Sequence, residues 1–272
     1  MTLKIRNRFL IGLFVLFVLH GVFNVAFFVY EALNARVGLP VNAIRPFYIF
    51  SKMLPVAFPA VVACAIFFML YVCVCTLAVY LMFEKTQAIE ISYFSGFLIG
   101  CCFEGTRLLI CVTDFLPSSW FLLFMARIVL TGRILCPMSL LFAAILRENE
   151  QRQNFERNFL IMLIVSAFLG LVLPMNSLEF STTCTILCGY RGILIIYIIM
   201  VVLATGITLF MHYNQSKSNS SALILASYVL MMAGYLILCN ADNYFCLTVG
   251  VAMFLSGSLG YLKGLHSSYL WK

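Results

Sequence analysis

Four charged residues lie within two strongly apolar stretches of the sequence. Glu104 and Arg107 belong to one stretch, and Arg127 and Arg133 belong to the next. A charge at bilayer depth costs at least ~2.5 to 3.5 kcal/mol on insertion scales, so such residues usually face the interior of a helix bundle and mark a functional site. We therefore take these four residues as the candidate ligand-binding site.

The chemistry of this group favours an anion. Arginine donates parallel hydrogen bonds to carboxylate and phosphate groups. A single carboxylate, Glu104, cannot neutralise three guanidinium groups, although Asp114 at the end of the first stretch can pair with one. The excess charge favours a small anionic or zwitterionic ligand. In this hypothesis Arg107 and Arg127 donate to the anion. Glu104 orients Arg133 or exchanges a proton.

Residue spacing predicts that the charges face protein instead of lipid. Gly96, Gly100 and Glu104 are four residues apart, which places them on one face of a helix, and Gly-x-x-x-Gly lets helices approach closely. Arg107 follows three residues later, within reach of Glu104. With a rise of 1.5 Å per residue and antiparallel helices, Arg133 should lie near the level of Glu104.

Pro137 follows the last of these charges by four residues. Proline cannot donate the helical hydrogen bond to the carbonyl four residues earlier, which here is that of Arg133. The sequence therefore predicts a bend beside the charges. Interrupted helices line substrate sites in many transporters, so we treat Pro137 as a candidate hinge.

The leading hypothesis for these charges is a small-solute transporter or a ligand-sensing membrane module, and the same charges allow two other functions. A scaffold or assembly subunit would use them as a structural ionic lock that fixes helix register. A membrane-embedded enzyme acting on a lipid or lipid-linked substrate would use Glu104 as an acid or base, and it would need a groove open to lipid. The motifs of nucleotide-binding loops, zinc proteases and serine hydrolases are missing, and the three histidines are far apart, so we expect no metal and no cofactor.

The composition of the chain predicts the secondary-structure elements that position these residues. The chain is 64% hydrophobic and 10% charged, whereas soluble domains are about 25% charged. This excludes a water-soluble globule and predicts an all-α, polytopic transmembrane bundle of about eight helices, forming one integral membrane domain over residues 1–272. The predicted spans are 9–30, 54–83, 91–113, 120–146, 159–175, 192–212, 222–239 and 244–262.

Orientation is predicted from the basic residues, because excess positive charge stays on the cytoplasmic side. The inner segments would hold ten (Lys4, Arg6, Arg8, Lys85, Arg147, Arg152, Arg157, Lys217, Lys263 and Lys272) and the outer segments four (Arg36, Arg45, Lys52 and Arg191). We therefore expect both termini in the cytoplasm, with the chain in the cell membrane and the lipid bilayer as its surroundings. The net charge of +7 is scattered, so it does not predict a nucleic-acid partner.

Two further segments carry weaker predictions. Residues Arg147 to Arg157 read RENEQRQNFER, with alternating charges that predict a helical extension. This extension is either a solvated helix end or a docking surface for a cytosolic partner. In the last span, Ser256, Gly260 and Gly264 repeat small residues every four positions, which predicts a helix-packing seam. The oligomeric state is not predicted.

Overall fold

The computed structural model describes residues 3–39, 43–45, 55–84, 86, 88–112, 119–146 and 155–270. Within these ranges, eight helical spans are long and apolar enough to cross a membrane. The helices are α1 (Leu3–Leu33), α2 (Phe58–Phe83), α3 (Ile89–Glu104), α4 (Arg107–Ile110), α5 (Ser119–Ile145), α6 (Phe155–Val172), α7 (Arg191–Ser216), α8 (Asn219–Cys239) and α9 (Tyr244–Leu270). Together α3 and α4 form the third span. The predicted helical class is confirmed, and the fold is compatible with a multi-pass membrane protein.

A short β-hairpin between α6 and α7 is an element that the sequence did not predict. Strand β1 (Met175–Phe180) pairs antiparallel with β2 (Ile186–Cys188). The predicted fifth span ends at residue 175, whereas α6 ends at Val172. Pro174 explains the difference, because a proline disfavours helical geometry in the residue before it.

The hairpin packs at the end of the bundle where α2 begins and α8 ends, which we call the hairpin end. Its turn is buried, and polar groups of the turn form hydrogen bonds with other loops. Thr182 donates its hydroxyl to Asp242 Oδ2 over 3.1 Å and its N–H to the Ile44 carbonyl over 3.0 Å. The N–H of Ala57, just before α2, donates to the Asp242 carbonyl over 2.8 Å. Asp242 therefore ties three connections together.

The first helix begins before the predicted start at residue 9, and it includes basic residues that the sequence places outside the membrane core. Arg6 is buried and donates to the carbonyls of Phe83 and Thr86, at the end of α2. The last carbonyls of a helix have no partner within the helix and carry partial negative charge. This contact explains how a buried arginine is accommodated without a carboxylate.

The helices that carry the charges, α3 and α5, cross at a pair of glycines. A Cβ on Gly132 would lie 2.7 Å from the Gly100 carbonyl oxygen, and a Cβ on Gly100 would lie 2.9 Å from the Gly132 carbonyl oxygen. A Cβ on Gly96, one turn away, would lie 3.2 Å from Ser139 Cβ on α5. The face predicted from the Gly96 and Gly100 spacing is therefore a packing face.

The small-residue seam of α9 differs by one position from the prediction. Gly260 and Gly264 pack against α8, but Ser256 is exposed. Gly257 takes its place, and a Cβ there would lie 2.6 Å from Met231 Cα. An α-helix has 3.6 residues per turn, so residues repeated every four positions drift around the helix. Ser256 therefore lies off the face of α9 that packs against α8.

An aromatic cluster beside the charges fixes α2, α3, α8 and α9. The fully buried ring of Phe254 lies with its centroid 4.5 to 6.4 Å from those of Phe68, Tyr71, Phe97 and Tyr235. By contrast, α1, α6 and α7 expose many large apolar side chains, as helices facing lipid do. Of the predicted extension at Arg147 to Arg157, residues 147–154 lie outside the described residues, and 155–157 form the start of α6.

Candidate functional site

Glu104 is the last residue of α3, and its side chain is completely buried. The sequence predicts an unbroken helix over 91–113, but the structure places a turn at Gly105 and Thr106 before α4. Glycine is a weak helix former, and the Thr106 hydroxyl donates to the Phe103 carbonyl over 2.7 Å. The interruption of the helix therefore falls directly beside the carboxylate.

Glu104 binds two arginines at once. Its Oε1 lies 2.8 Å from Arg133 Nε, and its Oε2 lies 3.3 Å from Arg133 Nη2. The same Oε2 lies 3.1 Å from Arg107 Nε. The Glu104 and Arg107 side chains are 0% exposed, whereas that of Arg133 is 18% exposed. Glu104 and Arg107 are thus sealed, and Arg133 forms the accessible edge of the cluster.

The end of α8 supplies a second acceptor. The carbonyl of Cys239, the last residue of α8, accepts from Arg133 Nη2 over 3.1 Å and from Arg107 Nη1 over 3.4 Å. Arg107 Nη2 donates to Cys64 Sγ over 3.4 Å, and its guanidinium lies 5.9 Å from the Phe68 ring centroid. All three guanidinium nitrogens of Arg107 therefore have partners.

One nitrogen of Arg133 differs from the other nitrogens of the cluster. Within the described part of the chain, no protein acceptor reaches Arg133 Nη1, and the side chain lines a cavity of about 270 Å³. The other walls come from α5, α7, α8 and the residue after α8: Pro137, Leu194, Ile195, Ile198, Ile199, Met232, Tyr235, Leu236, Cys239 and Asn240. The cavity is apolar except at the end formed by Arg133, the Cys239 carbonyl and Asn240.

The charges of the cluster do not cancel. Among the residues that the structure describes, one carboxylate faces two guanidinium groups, which gives a formal charge of +1. The carboxyl end of α8 offsets part of this, since a helix terminus carries roughly half a unit charge. A residual positive potential therefore remains at Arg133, where the cavity begins.

Of the four predicted site residues, the structure brings three together and leaves one apart. Arg127 Nη1 donates to the Leu171 carbonyl at the end of α6 over 2.6 Å. Arg107, the second predicted anion donor, is enclosed by its protein partners. Asp114 lies outside the described residues. The geometry thus leaves Arg133 as the donor that a ligand can reach.

Pro137 lies within α5, which runs as one helix from Ser119 to Ile145. Its contribution in this structure is to the wall of the cavity, one turn from Arg133. The helix interruption beside the charges is at Gly105. The hinge role of Pro137 stays a prediction.

Sequence reasoning missed the acceptors that come from the backbone. The acceptor at Cys239 is a backbone carbonyl, which no residue type identifies in a sequence. The α7 wall of the cavity consists of ordinary apolar side chains, which do not mark a site. One signal was present, because the apolar run of α8 ends in Asn240-Ala241-Asp242-Asn243, which is typical of a helix stop. A helix end near unpaired arginines is an acceptor for them.

Comparison of the chain with protein-family models, curated proteins and solved structures finds no match. Among the described residues, no three His, Cys, Asp or Glu side chains are grouped so that they could hold a metal ion. The fold and the site together define a class: a polytopic helical protein, compatible with insertion in a membrane, with a buried cluster of one glutamate and two arginines.

Proposed function

We propose that this chain is a multi-pass membrane protein that binds the anionic group of a small molecule at Arg133, as a transporter or a ligand-sensing module. The supporting observation is that none of the described residues offers an acceptor to Arg133 Nη1 beside the cavity, whereas the other guanidinium nitrogens of Arg107 and Arg133 have partners. A guanidinium at the edge of an apolar cavity attracts an anion strongly because little water competes.

In this proposal, Glu104 and Arg107 hold Arg133 in place. The paired contacts from Glu104 fix the Nε and Nη2 edge of Arg133, so that Nη1 is oriented before a ligand arrives. Such preorganisation reduces the entropy lost on binding. The cluster thus contains a structural part, Glu104 with Arg107, and a binding part, Arg133. This division retains the ionic lock as a component of the site.

The geometry does not favour Glu104 as an acid or base acting on a lipid substrate. Both of its carboxylate oxygens already accept from arginine, and its side chain is enclosed. For the sensing version, the signal would pass to a cytosolic partner at Arg147 to Arg157. The ten-to-four distribution of basic residues supports cytoplasmic termini, and the cell membrane is part of the proposal.

We expect hexanoate to raise the thermal stability of the purified full-length protein, and Arg133→Gln to abolish the effect. A ligand that binds the folded state alone stabilises it by about 2.7 kcal/mol at one hundred times its dissociation constant. The measurement is thermal unfolding in detergent, followed by circular dichroism across a hexanoate titration.

Hexanol controls for the apolar chain, and Arg191→Gln controls for loss of an arginine, since Arg191 forms an exposed pair with Glu179. If Arg133→Gln does not fold, the double variant Glu104→Gln/Arg133→Gln keeps the formal charge of the cluster at +1 and serves instead. Equal stabilisation of the wild type and these Arg133 variants by hexanoate would refute the site.

A further inference from the structure

We infer that the ligand is a single-chain lipid carboxylate, whose head group meets Arg133 and whose chain lies in a groove between α7 and α8. This inference rests on the proposed function, because the anion site at Arg133 anchors the head group. The groove is a second cavity, of about 580 Å³, lined by Val202, Leu203, Gly206, Ile207, Phe210, Leu225, Tyr228, Val229, Met232, Ala233 and Leu236.

The groove adjoins the cavity at Arg133. Met232 and Leu236 line both spaces, so the two are adjacent along one face of α8. The one hydroxyl in the groove wall, that of Tyr228, donates to the Val202 carbonyl over 3.0 Å. A charged cavity therefore adjoins an apolar groove, which matches the charged head and apolar chain of an amphiphile.

The length and direction of the groove match a lipid. From Leu225 to Cys239, α8 rises by ~21 Å, compared with about 30 Å for the hydrocarbon core of a bilayer. The charged end lies where α8 ends, and the groove runs from there toward the middle of the helix. An amphiphile in this position has its head near the membrane boundary and its chain toward the centre, as a lipid does in one leaflet.

The groove opens toward the membrane. Four of its lining residues are more than half exposed: Leu203 at 56%, Ile207 at 61%, Phe210 at 51% and Val229 at 57%. On these exposed faces of α7 and α8, lipid would surround the protein. The ligand can therefore enter sideways from the bilayer.

The remaining donor favours a small head group with one charge. Glu104 occupies the paired edge of Arg133, so the ligand meets the N–H groups of Nη1 alone. The walls around this nitrogen are mainly apolar, and a large hydrated head group would lose its water there without replacement. A carboxylate carries one charge and few polar atoms beyond those that accept from Nη1, so it leaves fewer polar groups without partners than a larger head group does.

The test is photo-crosslinking of diazirine-labelled hexadecanoic acid to the full-length protein in phospholipid nanodiscs. We expect adducts on α7 and α8 groove residues, competed by hexadecanoate and not by hexadecanol. Arg133→Gln should reduce the adduct yield roughly tenfold or more, because a charge-assisted hydrogen bond is lost.

A groove variant tests the chain separately. A Cβ on Gly206 would meet no atom within 4 Å, so Gly206→Leu fills the groove without a backbone clash. We expect it to reduce the crosslink yield roughly tenfold, because the added side chain occupies space that the lipid chain would fill. The hexanoate stabilisation should remain. Gly12→Leu is the matched control, because Gly12 on exposed α1 also has open space around it.

The outcomes separate the two proposals. If hexanoate stabilises the protein through Arg133 but adducts are spread equally over α1 and α6, or hexadecanol competes equally, the lipid assignment is overturned and the anion site stands. If hexanoate has no Arg133-dependent effect, the anion site and the lipid assignment both fail. Loss of groove adducts in both Gly206→Leu and Gly12→Leu would also overturn the lipid assignment.

Discussion

Replacing Glu104 by glutamine is expected to destabilise the folded protein by about 3 to 5 kcal/mol, as removal of one partner from a buried ion pair does. The substitution removes the one carboxylate that holds Arg107 and Arg133, and the formal charge of the cluster rises from +1 to +2. Because the Arg107 side chain is 0% exposed, water cannot replace the lost carboxylate there. The measurement is equilibrium unfolding in detergent, followed by circular dichroism.

Two variants serve as controls for Glu104→Gln. Glu179→Gln breaks an exposed pair with Arg191 and should cost about 0 to 1 kcal/mol. The double variant Glu104→Gln/Arg107→Met restores a charge of +1 and should be more stable than Glu104→Gln alone, so the two changes are not additive. If Glu104→Gln costs no more than Glu179→Gln, the charges do not lie in a dry interior.

Gly132→Leu should have the second largest effect, of about 3 kcal/mol, at the upper end for overpacked interiors. Its Cβ would lie 2.7 Å from the Gly100 carbonyl oxygen and 2.8 Å from Phe103 Cβ. A backbone carbonyl cannot rotate away as a side chain can, so α3 and α5 must separate. The adjacent Arg133 would then be displaced from Glu104. Unfolding and hexanoate stabilisation are both measured.

The control is again Gly12→Leu, which adds the same side chain where no atom lies within 4 Å. It should leave the protein equally stable or up to about 1 kcal/mol more stable, because glycine within a helix is unfavourable. Similar unfolding of Gly132→Leu and Gly12→Leu would show that α3 and α5 do not cross at these glycines.

Much of the helical fold could be predicted because a membrane helix needs about 20 apolar residues, and such runs are visible in the sequence. The spacing of Gly96, Gly100 and Glu104 identified the packing face of α3. The rise per residue also placed Arg133 opposite Glu104, and the structure contains this contact. These predictions depend on periodicity, which is a property of the sequence itself.

Other features depend on contacts that periodicity does not encode. Arg127 was grouped with Arg133 because both lie in one apolar stretch. Their separation of six residues, however, places them about 120° apart around a helix, and Arg127 faces the end of α6. The β-hairpin was missed because the apolar run of α6 continues in composition past Val172.

Arginines in these apolar helices share one kind of partner, the backbone carbonyls at a helix end, which explains how they are stabilised with few carboxylates. Arg6 donates at the end of α2, Arg127 at the end of α6, and Arg107 and Arg133 at the end of α8. Each uses backbone carbonyls that the helix leaves unpaired. In the sequence, the excess of guanidinium groups over carboxylates favours an anionic ligand. Because backbone carbonyls pair with these groups, that excess is weak support. Stronger support comes from Arg133 Nη1, which has no acceptor among the described residues.

The most direct test of the account is nitrogen NMR of the arginine side chains in the full-length protein, with the Arg133 resonance assigned by its loss in Arg133→Gln. Addition of hexanoate should shift the Arg133 Nη1 resonance saturably and leave that of Arg107 nearly unchanged, whereas hexanol should shift neither. An Arg133 resonance that does not move with hexanoate, or moves equally with hexanol, would contradict an anion site at this residue.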